Sequence, residues 1–200
     1  MLTLYSHDSP NVEKVRIALY ELGEAFREED VDLGKKEQRG ARFLAINPNG
    51  RIPAIDDDGV VVWESGAILL HLALKHGALL PTAADRRANA LEAVFLEASA
   101  LSPIIGGYGL VGQLSLPEAA RNQARLGELQ QELARLVGVV DRMLGDGREY
   151  FAKEFSIGDI QSYPVLAKAA KFGLLVPTPA IGAWLARMRA RPAVQKAMPA

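Results

Sequence analysis

The spacing of apolar and polar positions changes period several times within the first 76 residues. Leu2-Thr3-Leu4-Tyr5 reads as a short strand, and Val12, Val15, Leu19 and Leu22 then recur at intervals of three and four. That recurrence predicts a helix over Pro10–Leu22, with Gly23 as the left-handed residue that ends it. Residues 26–33 read as a strand but carry Arg27, Glu28, Glu29 and Asp30, as an exposed sheet edge does. Residues 34–45 are polar, with a short helix expected in their second half. Residues 52–55 and Val60–Trp63 are expected to pair as a hairpin across Asp56-Asp57-Asp58-Gly59, whose Asp-Gly step is a turn signal. A helix over 65–75 buries Ile68, Leu69 and Leu72. The whole is one α/β unit.

After a linker over 77–84 the strand pattern stops. Residues 85–101 carry Leu91, Val94, Phe95, Ala98 and Leu101 at helical spacing, and a glycine-rich segment follows over 102–113. Those glycines either break the helix or let a ligand approach the backbone. Ser115-Leu116-Pro117-Glu118 has the form of a capping box, expected to open a helix with Leu126, Leu129, Leu133, Leu136, Val140 and Leu144 on one stripe. Ser156-Ile157-Gly158-Asp159 is a second capping box, flanked by Phe155 and Ile160 in the positions of a hydrophobic staple. Two further helices are expected, over 160–172 and Pro179–Arg189. The pattern divides the chain into an α/β domain over 1–76 and an all-helical domain over 85–200.

Composition narrows the chemistry. The chain has 200 residues, a formal net charge of −1 and no cysteine. Near neutrality removes the basic surface a nucleic-acid partner needs. The absent cysteines exclude disulfide scaffolds, thiolate metal sites and a protein-borne thiol nucleophile, and no metal is expected. The opening residues lack a basic segment followed by an apolar run, and the run 67–74 is too short to span a bilayer. A cytoplasmic location without a membrane partner is therefore the expectation.

The richest chemistry lies in Asn47-Pro48-Asn49-Gly50-Arg51-Ile52-Pro53 and in Glu64-Ser65. Proline has no N–H and so bends the chain ahead of a strand, leaving the Ile52 backbone as an edge for an extended peptide. Glu64-Ser65 opens a helix, whose first N–H groups and positive dipole end suit a carboxylate. Together they read as a receptacle for a small anionic peptide. Ser9-Pro10 has two readings: an N-cap with proline at the first helical position, or a hydroxyl donor at a reactive centre.

Four features, taken in order, resemble the cytosolic glutathione transferases over essentially the full chain. They are Ser9-Pro10-Asn11, Ile52-Pro53, Glu64-Ser65, and the Ser156/Asp159 box with its staple. Trp184-x-x-Arg187 followed by Arg191-Pro192 resembles that family's carboxy-terminal segment. Ser9-Pro10-Asn11, Gln38, Pro48-Asn49 and the 106–113 segment look most like the bacterial Nu class, although Gly109-Leu110-Val111 stands where that class usually has Gly-Pro-Met.

The resemblance implies a thioredoxin-like α/β amino-terminal domain with cis Pro53, then an all-α domain forming the second-substrate site, and a homodimer. Glutathione enters as substrate, its partner a small electrophile or a disulfide. Ser9 and Asn11 are then the catalytic pair, with Ser9 donating to the thiolate and Tyr5 as the rival donor. Gln38, Arg51, Ile52, Pro53, Glu64 and Ser65 bind glutathione, and His7 and Tyr108 line the second-substrate pocket. Asp8 is expected to face solvent. The alternative from another class is a non-catalytic binding or regulatory protein of this fold. The retained glutathione residues favour the enzyme, and the missing serine- and cysteine-rich opening argues against a glutathione-dependent isomerase.

Overall fold

The computed structural model describes residues 1–199, and the chain divides into two compact units, Met1–Leu80 with the segment from Ala190 onward, and Pro81–Arg189. In the first, four strands form a sheet in the order β2-β1-β3-β4: β1 Leu2–Ser6, β2 Phe26–Asp30, β3 Ala54–Asp57 and β4 Val60–Trp63. β1 runs parallel to β2 and antiparallel to β3, and β3 is antiparallel to β4. β1 lies inside the sheet and is buried along its whole length. β2 has a partner on one side only and keeps its charged residues outward, as its composition predicts.

Helices α1, Pro10–Leu22, and α3, Ser65–His76, pack together in this unit, burying Val12, Val15 and Leu19 against Ile68, Leu69 and Leu72. Gly23 ends α1 at φ 64, its N–H and that of Glu24 closing back on Tyr20 and Leu19. The hairpin turns on Asp58 and Gly59, both at positive φ, as a two-residue turn between twisted strands requires. The strand expected over 52–55 instead starts at Ala54, because Ile52 and Pro53 belong to the turn before it. Residues 37–39 form a 3-10 turn and α2 covers Ala41–Leu44. The arrangement is a thioredoxin-like α/β domain.

The segment from Ala190, which the sequence pattern groups with the helical residues 85–200, packs on α1 instead. α10, Pro192–Ala197, buries Ala193, Val194 and Ala197. Arg191 donates twice to the Glu21 carboxylate, at 2.7 and 2.9 Å, and Lys196 lies 4.2 Å above the Tyr20 ring. Tyr20 and Glu21 sit at the end of α1, so helical periodicity alone could not reveal what they meet.

The second unit is helical. α4, Ala84–Leu96, runs into a π-helical turn, Glu97–Leu101, followed by α5, Ser102–Ile105, and α6, Leu110–Leu114. Residues 84–114 have the length and hydropathy of a membrane span. Within this unit, however, the buried Glu97 carboxylate accepts from Ser102 Oγ and from Gln161 Nε2. Gly106, Gly109 and Gly112 serve the chain's own packing: a Cβ on Gly109 would stand 2.0 Å from the Ile104 carbonyl oxygen, and one on Gly112 1.8 Å from that of Gly107. They break the helix and let backbone meet backbone.

α7, Gln123–Leu144, buries the predicted leucine stripe, but Ser115-x-x-Glu118 does not open it. Ser115 Oγ donates back to the Val111 carbonyl, and Asn122 caps α7 by accepting from Arg125 N at 3.0 Å. The Ser156/Asp159 box does open its helix, α8, Ile157–Lys171, with α9 at Pro179–Arg189 after it. Asp159 is fully buried and accepts from Ser156 N at 3.0 Å, Phe151 N at 3.2 Å and Trp184 Nε1 at 2.9 Å. Burial nevertheless pushes its carboxyl up to about 6.

Candidate functional site

Sheet register gathers the candidate residues at one end of the first unit. Tyr5 pairs with Ala54 and Ala54 with Trp63. One step further along each strand lie Ser6, Pro53 and Glu64, so the loop from β1 to α1, the bend before β3 and the start of α3 share one edge. Both helices follow strands that point to this end, and therefore present their N-termini there. Each adds unpaired donors and about half a positive charge.

Ser9 is the N-cap of α1, and its Oγ accepts from Asn11 N at 3.3 Å. A hydroxyl has one hydrogen and two lone pairs, so capping uses an acceptor and leaves the O–H able to donate. The two readings of Ser9 are compatible. Asn11 Oδ1 accepts from Lys14 Nζ at 2.8 Å. Asp8 is exposed, as expected. Tyr5 packs into a buried cluster with Val31, Phe43 and Ala54, its ring edge-on to Phe43 at 6.1 Å. Burial, with Glu29 nearby, raises its pKa, which opposes a phenolate role.

The Ile52–Pro53 peptide is cis. Asn47, buried, holds the turn before it: its Nδ2 donates to the Arg51 carbonyl at 2.6 Å and its Oδ1 accepts from Asn49 N at 2.9 Å. Gly50, at φ 63, fits this turn because a Cβ there would lie 2.9 Å from the Gln38 carbonyl oxygen. Gln38 is thereby set beside the 47–51 turn, and its buried Oε1 has no hydrogen-bond partner among the described residues. Arg51 is exposed, while Ile52 packs against the Tyr5 cluster.

Glu64 adopts φ 73, ψ 123, a conformation that costs a non-glycine residue of order 1–3 kcal/mol. Its side chain is exposed and accepts from Asn49 Nδ2 at 3.2 Å, so it does not require a second charge to offset burial. Ser65 is buried as the first residue of α3.

His7 lies at the same edge, its Nδ1 2.9 Å from Asp30 Oδ1; that hydrogen bond raises its pKa. Tyr108 belongs to the second unit and is 81% exposed. Among the described residues no cluster of three His, Asp or Glu suits a metal ion. Sequence reasoning assigned no role to Asn47 or Lys14. An Asn two residues before another Asn in a turn is a signal for the first, whereas Lys14 carries no local signal.

A hydroxyl and a helix N-terminus beside a second helix N-terminus and an exposed carboxylate can hold a molecule with an anionic centre and an ammonium. The bend before β3 adds backbone for an extended peptide. The model for the glutathione S-transferase N-terminal domain matches residues 1–74. The disulfide-bond oxidoreductase YfcG of Escherichia coli is 33% identical over 99% of this chain and 94% of its own length. The glutathione S-transferase GstB of the same organism is 32% identical over 98% and 97%. A Pseudomonas putida glutathione transferase, solved with one glutathione disulfide bound per subunit, superposes with a TM-score of 0.86 at 30% identity, covering 100% of this chain and 92% of its own. The chain belongs to the glutathione S-transferase family.

Proposed function

We propose that this chain is a glutathione-dependent transferase of the Nu type that activates the glutathione thiol for attack on electrophiles and disulfides. The shared edge of Ser9, Ile52-Pro53 and Glu64-Ser65, set by the sheet register, carries the reading. In this reading the Ile52 backbone pairs with the cysteinyl residue of glutathione. Glu64 and the α3 N-terminus take its γ-glutamyl ammonium and carboxylate, and Gln38 and Arg51 take its glycyl end. The Ser9 hydroxyl and the Asn11 amide donate to the sulfur.

The energetics suffice. A thiol has an ordinary pKa of about 8.5, and each unit of depression needs about 1.4 kcal/mol. A hydrogen bond to a charged acceptor contributes about 1.5–3 kcal/mol, and a helix N-terminus about 0.3–1 kcal/mol. Ser9 donates and keeps its own proton. With no cysteine in the chain, disulfide reduction proceeds through glutathione alone. One thiolate attacks the substrate disulfide and releases a thiolate; a second glutathione attacks the mixed disulfide, giving glutathione disulfide and the second reduced thiol.

His7 contributes to the second-substrate pocket in this reading. The enzyme works as a cytoplasmic homodimer, drawing on the cytoplasmic glutathione pool. Val60, Val61, Trp63 and Leu74 support the dimer: they are large apolar side chains exposed on β4 and α3. Retention on immobilised glutathione, with turnover of either an aryl halide or a mixed disulfide, tests the proposal. Absence of both retention and turnover would favour a regulatory binding protein of the same fold.

A further inference from the structure

Lys14 has no exposed surface, although it is a lysine in the second turn of an amphipathic helix. Burying an ammonium is expensive unless hydrogen bonds repay it, and a methionine fills a similar volume without that cost. One of its bonds is the 2.8 Å contact to Asn11 Oδ1. The two residues are three apart on α1 and so share a face.

We infer that Lys14 is a positioning residue for thiolate activation, one that fixes which end of the Asn11 amide faces the reacting sulfur. The inference rests on the proposed role of Asn11. An amide presents an acceptor at one end and two donors at the other, in nearly the same shape. An ammonium only donates, so the group turned toward Lys14 is the amide oxygen. Nδ2 is thereby left to point elsewhere as a donor. Reversed, the side chain would offer the sulfur a lone pair and repel a thiolate. The Asn11 backbone is fixed as well, since its N–H donates to Ser9 Oγ at 3.3 Å. A cation behind the carbonyl also polarises the amide, strengthening its N–H groups as donors in a low-dielectric interior.

The test compares wild type, Lys14→Met, Asn11→Ala and the double variant by spectrophotometric titration of bound glutathione. Affinity for S-methylglutathione, which has no thiol to ionise, is measured alongside. Each single variant is expected to raise the bound-thiol pKa by about one unit, which lowers the thiolate fraction about tenfold where the thiol is mostly protonated. The double variant should show no more than the larger single shift, because both act through one amide. S-methylglutathione affinity should change less than about threefold, unlike the loss a collapsed site would give.

Should Asn11→Ala leave the pKa unchanged, the donor role of Asn11 fails and the inference falls with it. Should Asn11→Ala shift it while Lys14→Met does not, or should the shifts add, only the role of Lys14 is overturned. A reading that needs no Lys14 variant comes from selective ¹⁵N labelling of asparagine side chains in the wild-type protein. The Asn11 Nδ2 resonance, assigned by its absence in Asn11→Ala, should move as the bound thiol titrates. A resonance blind to that titration would contradict the proposed orientation.

Discussion

Asn49 Nδ2 donates to Glu64 Oε1 at 3.2 Å, joining the turn ahead of the cis proline to the residue that opens α3. The two lie fifteen positions apart, and the contact holds the Glu64 carboxylate at the edge where both helix N-termini emerge. Glu64→Ala is expected to raise the KM for glutathione about 10- to 100-fold, the value of a charged hydrogen bond, while kcat changes little. In the proposed binding mode the ammonium beside Glu64 carries the same charge in ground and transition states, so losing the carboxylate removes uniform binding. Asn49→Ala should act in the same direction but by about 2- to 10-fold, since it only orients the carboxylate. Steady-state kinetics at varied glutathione would decide; a collapsed kcat at normal KM contradicts the assignment.

Ser9→Ala should raise the pKa of bound glutathione by about a unit and lower turnover at neutral pH, with a smaller effect on affinity. Losing the cap should also cost about 0.5–2 kcal/mol of stability, because the same oxygen accepts from Asn11 N. Thiolate titration and a melting curve on one preparation separate the two effects. An unperturbed thiol with a lowered Tm would leave Ser9 as a cap and return attention to Tyr5.

These residues show how far the sequence carries. Pro10–Leu22, the Asp-Gly hairpin turn and the α7 leucine stripe were legible because each is a local pattern with one physical solution. The Ser156/Asp159 box was legible for the same reason. The box at Ser115 was not real, because its residues found other partners: Ser115 bonds the preceding turn, and Asn122 offered a better cap nearer the stripe. The attachment of α10 to α1 was hidden because it depends on Tyr20 and Glu21, 170 or more residues away in the chain. At the site, residue types suggested the ligand, but the Asn49–Glu64 and Lys14–Asn11 pairings are set by side-chain directions that no spacing rule specifies.

Asp159 gives a pH dependence of defined sign. Its folded pKa, pushed up to about 6, exceeds its ordinary value of 3.8. The folded state therefore binds the proton more tightly, and this group's contribution is fully present below pH 3.8 and lost as pH rises through 6. Two units correspond to about 3 kcal/mol. Asp57 and Glu28 have the opposite sign: burial opposes their charge, but bonds from Lys75 and His71, and from Arg16 and Ser6, hold their pKa values low. Their contribution disappears in acid. Thermal stability should peak at about pH 4 to 5, and Asp159→Asn should lower Tm throughout while flattening the fall between about pH 4 and 6. An unchanged slope in that variant would show that Asp159 does not titrate there.

The glycine segment makes a sharper claim about packing. Gly109→Ala places a methyl group 2.0 Å from one carbonyl oxygen and 2.5 Å from another, both backbone atoms that cannot swing aside. Gly107→Ala meets nothing within 4 Å. The first substitution should cost several kcal/mol, in the range where strain and overpacking fall, and the second less than about 1 kcal/mol. Chemical denaturation of the two variants would show it. Equal stabilities would mean that the 106–112 segment is looser than its contacts imply.

The last expectation concerns the second substrate. Disulfide reduction should be at least comparable to aryl-halide conjugation when both are measured on one preparation. Both reactions need the glutathione thiolate, which Ser9 and Asn11 supply in the proposed mechanism. They differ in what else they need. Conjugation gains from a close-fitting apolar pocket that holds an aromatic ring, whereas thiol–disulfide exchange depends on thiolate fraction, leaving-group pKa and access to the attacked sulfur. The edge described above is polar and backbone-lined. It carries an exposed Glu64, an exposed Arg51 and a His7–Asp30 pair, surroundings that suit a second peptide-like thiol better than a hydrocarbon. Gly109 and Gly112 add no space for either substrate, being closed by their own backbone contacts. A panel of a small mixed disulfide and an aryl halide at equal glutathione concentration makes the comparison. Strong conjugation with no detectable disulfide reduction would assign the enzyme to electrophiles alone.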